Sequence, residues 1–161
     1  MPGGMETNGV EELDRMLEKL GTMAGPIAAR ALYDGAAVVA DAYASAVRSI
    51  KTGPRNWPGN MRNKARYATP EEKAALMGKT GVSNFRSDGG PEISTIVGPT
   101  NGYVQIGNRT VAVKLLARSI NSGTWFMKKQ PVFRKASRSS RSAAQKAMVD
   151  TADALIKEII K

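Results

Sequence analysis

An α+β fold is predicted by three features of the sequence: helical periodicity over long segments at both ends, short β-type runs near the middle, and a Pro/Gly-rich basic stretch separating them. The expected architecture is a small antiparallel β-sheet packed with an N-terminal helix, a long alanine-rich helix and a long C-terminal helix, plus a long extended central loop. At 161 residues the chain has material for one ordinary core, and 1–161 is read as a single domain.

Taken in order, Val10, Leu13, Met16, Leu17 and Leu20 recur at helical spacing, with Glu11, Glu12, Asp14 and Glu18 between them and Gly21 as a stop signal. A second helix is predicted from Pro26, a residue suited to a first helical position, to about Ile50. Its alanines allow close approach by neighbours, while Gly35 costs about 1 kcal/mol relative to alanine, so this helix depends on tertiary packing. From Lys51 to Pro91 prolines, glycines and basic residues break the pattern, and an extended arm is expected. Inside it TPEEKAALM reads as one short helix, with Thr69 as N-cap, Pro70 at the first position and Glu72 completing a capping box. Ile93–Val97 and Tyr103–Ile106 are the predicted strands, joined as a hairpin by the loop from Gly98 to Gly102. The segment 110–120 reads as a strand passing into a short helix. Pro131 to Lys161 is expected to be one helix, with Met148, Ala152, Leu155 and Ile159 as its apolar stripe.

Composition narrows the chemistry. There is no cysteine and no histidine, which removes thiolate nucleophiles, cysteine and histidine metal ligands and the commonest general base. No apolar run is long enough for a membrane span, and the polar, acidic start is unlike a secretion signal, so the chain is expected to work inside a cell. The net charge of +10 is unevenly placed: residues 1–47 hold three basic and seven acidic side chains, residues 109–161 twelve basic and three acidic. Such polarity suits nucleic acid, an acidic protein surface, or head-to-tail contact between copies.

The motifs that invite an enzymatic reading fail on spacing. GKTG at 78–81 has Lys73 where a phosphate loop needs its first glycine, and a helix where it needs a buried strand. Asn108-Arg109-Thr110 matches a glycosylation acceptor but follows no secretion signal. Glu71 and Glu72 are explained by helix capping, and Asp34 with Asp41 by a shared solvated or subunit-facing stripe. No catalytic, metal or cofactor residue is therefore assigned. The strongest electrostatic feature is Lys128, Lys129, Arg134, Lys135, Arg138 and Arg141, a surface for a neighbouring subunit or for phosphates. Beside it Trp125, Phe126 and Phe133 either stack on bases or form an apolar seat for the last helix, with Gly123-Thr124 as a tight turn and Pro131 setting the helix start.

The order of these features resembles a family. The opening GVEELDRMLEKL, the alanine-rich second helix, the basic loop, the β section with VGP, the Gly123-Thr124 turn and the Pro131-Val132-Phe133-Arg134-Lys135-Ala136 helix entry are together similar to bacteriophage neck or tail-completion proteins of the Hong Kong 97 gene-product-10 type. That family typically carries Glu-aromatic-Gly-Thr at the turn and Pro-Phe-aliphatic-Arg-Pro-Ala at the entry; here the acid-aromatic pair is replaced by Asn121-Ser122. The resemblance implies a structural virion protein without catalysis, made in the bacterial host cytoplasm and placed at the head-tail junction. It further implies a hexameric or dodecameric ring that contacts other neck proteins and the tail-tube protein and surrounds the passing genomic DNA, with no membrane and no small-molecule ligand. The competing expectation is a basic nucleic-acid-binding protein gripping phosphates through 51–91 and 128–141.

Overall fold

The computed structural model describes residues 8–54, 65–84, 86 and 94–160, and among them the fold is α+β. Helix α1 spans Asn8–Arg48, α2 Pro70–Leu76, α3 Val113–Ser122 and α4 Val132–Ile160; strands β1 (Thr80–Val82), β2 (Val97–Pro99), β3 (Tyr103–Ile106) and β4 (Arg109–Ala112) lie between them. α1 and α4 run antiparallel as a long helical pair. Met23 and Ile27 share a groove with Leu155 and Ile159, the Thr151 hydroxyl donates to Asp34 Oδ2 (2.8 Å), and the Tyr43 and Phe133 rings meet edge to face at 5.5 Å.

The two helices expected before residue 50 are one. Gly21 does not stop the first, and Pro26 lies inside the continuous α1. A proline inside a helix conflicts with the carbonyl four residues back, here that of Thr22, and with the residue before it; Gly25, which has no Cβ, relieves only part of this. The Pro26 ring and Ile27 then line the groove against Leu155 and Ile159, so packing offsets the missing backbone hydrogen bond. Since α4 ends near the level of Met23, residues 8–22 of α1 extend past it by about 22 Å at 1.5 Å per residue.

The core sits at the other end of the pair, where Val47, Ile50, Leu76, Val113, Ile120 and Phe133 close together from α1, α2, α3 and α4. α2 has the predicted capping box: Glu72 N–H donates to Thr69 Oγ1 and Thr69 N–H to Glu72 Oε2. Lys73 Nζ donates to the carbonyls of Arg48 and Ile50, a cation on the exposed acceptors at the C-terminal end of α1.

Strand partners differ from the expected hairpin. β3 pairs with β4, Ile106 opposite Arg109, through the two-residue turn Gly107-Asn108. Gly107 has φ +58° and, among the described residues, no non-glycine residue has positive φ, the pattern of a type II′ hairpin. β2 pairs instead with β1, whose residues lie within the segment read as arm. The predicted passage from strand to helix is realised at Ala112–Val113, where β4 runs into α3. Residues 55–64, 85 and 87–91 of the expected arm, Ile93 of the expected strand and Lys161 of the last helix lie outside the described residues.

Candidate functional site

The stretch from Ser119 to Ala136 is a joint between α3, Lys51 and Arg66 of the 51–91 segment, and α4. α3 ends at Gly123, whose N–H donates to the Ser119 carbonyl and whose φ is +78°. A Cβ there would meet the backbone of Lys129 at 3.0 Å, so conformation and space both require glycine. Thr124 and Met127 exchange backbone hydrogen bonds and the Thr124 hydroxyl accepts a further one from Met127 N–H, closing a tight turn. Beyond it the backbone pairs with Arg66: Arg66 N–H donates to the Phe126 carbonyl and Lys128 N–H to the Arg66 carbonyl.

Gln130 makes the next link. Its side chain is buried and imitates a strand: Lys51 N–H donates to Oε1 (2.8 Å) and Nε2 donates to the Lys51 carbonyl (3.0 Å). The expected result of Gln130→Ala is a loss of about 1–2 kcal/mol, since both Lys51 backbone groups lose their partner. A lower urea midpoint at unchanged m-value is the measurement. Pro131 then accepts Lys135 N–H through its carbonyl, and Asn121 Oδ1 accepts Arg134 N–H (3.3 Å), so α3 helps cap α4.

The aromatic cluster divides. Phe133 is buried in the core and Phe126 packs on it half-buried, but Trp125 is 80 % exposed and does not seat α4. It occupies the tip of the Thr124–Met127 turn, with its ring edge to face on Phe126 at 5.4 Å. Sequence proximity put three aromatics in one plug, whereas the turn directs one outward.

The six basic residues are all exposed. Lys128 Nζ lies 4.4 Å from the Tyr67 ring centroid, a cation–π contact. On α4, Arg134, Arg138 and Arg141 fall on one flank of the buried stripe Phe133, Ala136, Ser140 and Ala144, while Lys135 falls on the far side. The first turn of α4 has no acidic residue, so Arg134 and Lys135 add positive charge at the end where the helix dipole is already positive. None of the six forms a salt bridge among the described residues. Lys114 and Arg118, missed in the sequence reading, sit one turn apart on an exposed flank of α3 and line a groove that includes Asn121 and Phe133. Their i, i+4 spacing was the available signal, masked by the ambiguity of 110–120.

A cavity of about 210 Å³ lies beneath α3, lined in part by Arg66, Glu72, Arg109, Leu115 and Phe126. Its ion pair is already satisfied internally: Arg66 donates to Glu72 Oε1 (2.6 Å), Glu72 Oε2 (2.8 Å) and the Tyr67 carbonyl. Asp34 is engaged by Thr151 and Arg30, and Asp41 lies about 10 Å along the same helix, too far for shared proton chemistry. Among the described residues no acidic cluster has metal-binding geometry and no helix is long and apolar enough to cross a membrane.

Fold and surface thus define a small α+β protein with a projecting helical segment and exposed cations; among the described residues every buried side-chain polar atom has a hydrogen-bond partner. No family model, curated protein or solved structure matches the chain.

Proposed function

We propose that this protein is a structural component of a long-tailed bacteriophage, forming a ring at the head-tail junction that completes or caps the tail and joins it to the capsid connector around the DNA channel. The observation that carries the reading is the separation of unsatisfied surface. An acidic, apolar-striped helix projects at one end, and cations that form no salt bridge among the described residues gather at the start of α4. A ring closes through heterologous contacts, in which one face of a subunit meets a different face of the next, and polarity of this kind suits it. The resemblance of GVEELDRMLEKL and of the residues from Ile120 to Ala136 to neck proteins supplies the viral setting.

Native mass measurement over a concentration series tests the ring. A closed hexamer or dodecamer is expected, and a particle that stays monomeric at tens of micromolar counts against it. A second reading, a protein whose main task is to grip phosphates, is favoured by the cations at the positive end of α4. Titration with duplex DNA separates the two. As a ring component, the isolated protomer is expected to bind weakly and to lose binding by physiological salt. Tight binding with a steep salt slope, reduced when Lys128, Lys129 and Arg134 become glutamate, supports the second reading instead.

A further inference from the structure

We infer that the projecting N-terminal segment of α1 docks into the groove between β2 and α3 of a second copy. This rests on the ring reading only in taking another copy of the chain as the occupant. Two surfaces need explanation. The segment beyond the end of α4 keeps an exposed apolar stripe: Leu13 is 55 % and Leu17 56 % exposed, with Met16 and Leu20 half-buried beside them. Elsewhere the groove of about 320 Å³ has an apolar floor of Tyr43, Ile96, Pro99, Ala117 and Phe133, and Ile96 is 62 % exposed at its edge.

Charge selects the pairing. Asp14 and Glu18 are one turn apart along one edge of the projecting stripe, with Glu12 and Lys19 on the other edge. Lys114 and Arg118 are one turn apart on the groove's rim. None of Asp14, Glu18, Lys114 and Arg118 is drawn into a salt bridge among the described residues. The two i, i+4 pairs repeat at the same helical rise, so Leu13 and Leu17 can enter the apolar floor while the carboxylates face the cations, a helix-in-groove contact. The segment's own groove lies beyond its reach. Tyr43 lies 26 residues beyond Leu17 along the same rigid helix, about 39 Å away, so the contact must come from another copy.

The test is charge reversal with rescue, read by sedimentation at low and high salt. Asp14→Lys with Glu18→Lys, or Lys114→Glu with Arg118→Glu, is expected to weaken self-association about tenfold or more, and the two reversals combined to return it to within about threefold of the starting protein. Because the chain has no cysteine, Asp14→Cys and Arg118→Cys proteins give an independent readout: mixed, they form a disulfide-linked pair, and neither links to itself efficiently. If the unaltered protein assembles but neither reversal weakens it and no mixed link forms, the docking is wrong while the ring reading stands. A protein monomeric at every concentration overturns both. Rescue and cross-linking within open fibres keep the docking and remove the closed ring.

Discussion

Replacing Gly35 by leucine is expected to lower stability by about 1–2 kcal/mol net and to loosen the α1–α4 pair, despite removing a poor helix former. Glycine to leucine in a helix gains up to about 1 kcal/mol of propensity. Here it is outweighed, because a Cβ on residue 35 would collide with the Met148 side chain and lie 3.1 Å from the Ala144 carbonyl. Met148 is flexible enough to swing aside, but the Ala144 carbonyl belongs to the α4 backbone and moves only with the helix. Overpacking of this kind costs about 1–3 kcal/mol per site, and a leucine adds three carbons beyond the Cβ. Chemical denaturation measures the loss. Coupling distinguishes local overpacking from a general defect: Met148→Ala vacates the space, so the double variant should be more stable than the sum of the single changes. Strict additivity would show that the helices do not close over Gly35.

The same contact explains how a helix that the sequence divides can run unbroken. Pro26 and Gly21 are local stop signals, and within α1 Gly25 relieves only part of the proline's conflict. What decides is a surface over a hundred residues away: Leu155 and Ile159 cover Pro26 and Ile27. By contrast, α2 was legible in full because its capping box is local, contained within four residues. β1 was not, since three residues including Gly81 carry little pattern and pair with a distant strand. The site shows the same division. The charge polarity and a tight turn at Gly123-Thr124 were visible in the chain, but Trp125 pointing outward, Gln130 imitating a strand and the Lys114–Arg118 rim depend on neighbours brought together by folding. Reading α1 as two helices also concealed the overhang: only a rigid, continuous helix can hold Leu13 and Leu17 clear of their own core.

The ion pair between Arg66 and Glu72 should be the most pH-sensitive element of stability. Burial pushes the Glu72 carboxyl upward, but hydrogen bonds from Arg66 and Thr69 and the guanidinium charge outweigh it and hold the group below its ordinary value. The Glu72 hydrogen bond raises Arg66 in turn, against the opposing effect of burial. The sign follows from proton binding. Between the depressed folded pKa of Glu72 and its ordinary unfolded value near 4.3, the unfolded chain holds more protons, so stability rises with pH. The contribution is complete above the unfolded value and disappears as pH falls through the folded one. Glu72→Ala removes the bidentate contact and the capping box together and leaves Arg66, with only 21 % of its side chain exposed, without its carboxylate. Breaking a fully buried pair costs about 3–5 kcal/mol; with this partial exposure a loss of about 2–3 kcal/mol, or roughly 5–10 °C in Tm, is expected at neutral pH. Glu72→Gln retains the capping geometry and loses only the charge, so it should be the milder change near neutral pH and should flatten the acid limb of the stability curve. Equal pH dependence in Glu72→Gln and the unaltered protein would assign the acid sensitivity to another group and leave this pair acting through hydrogen bonds rather than through charge.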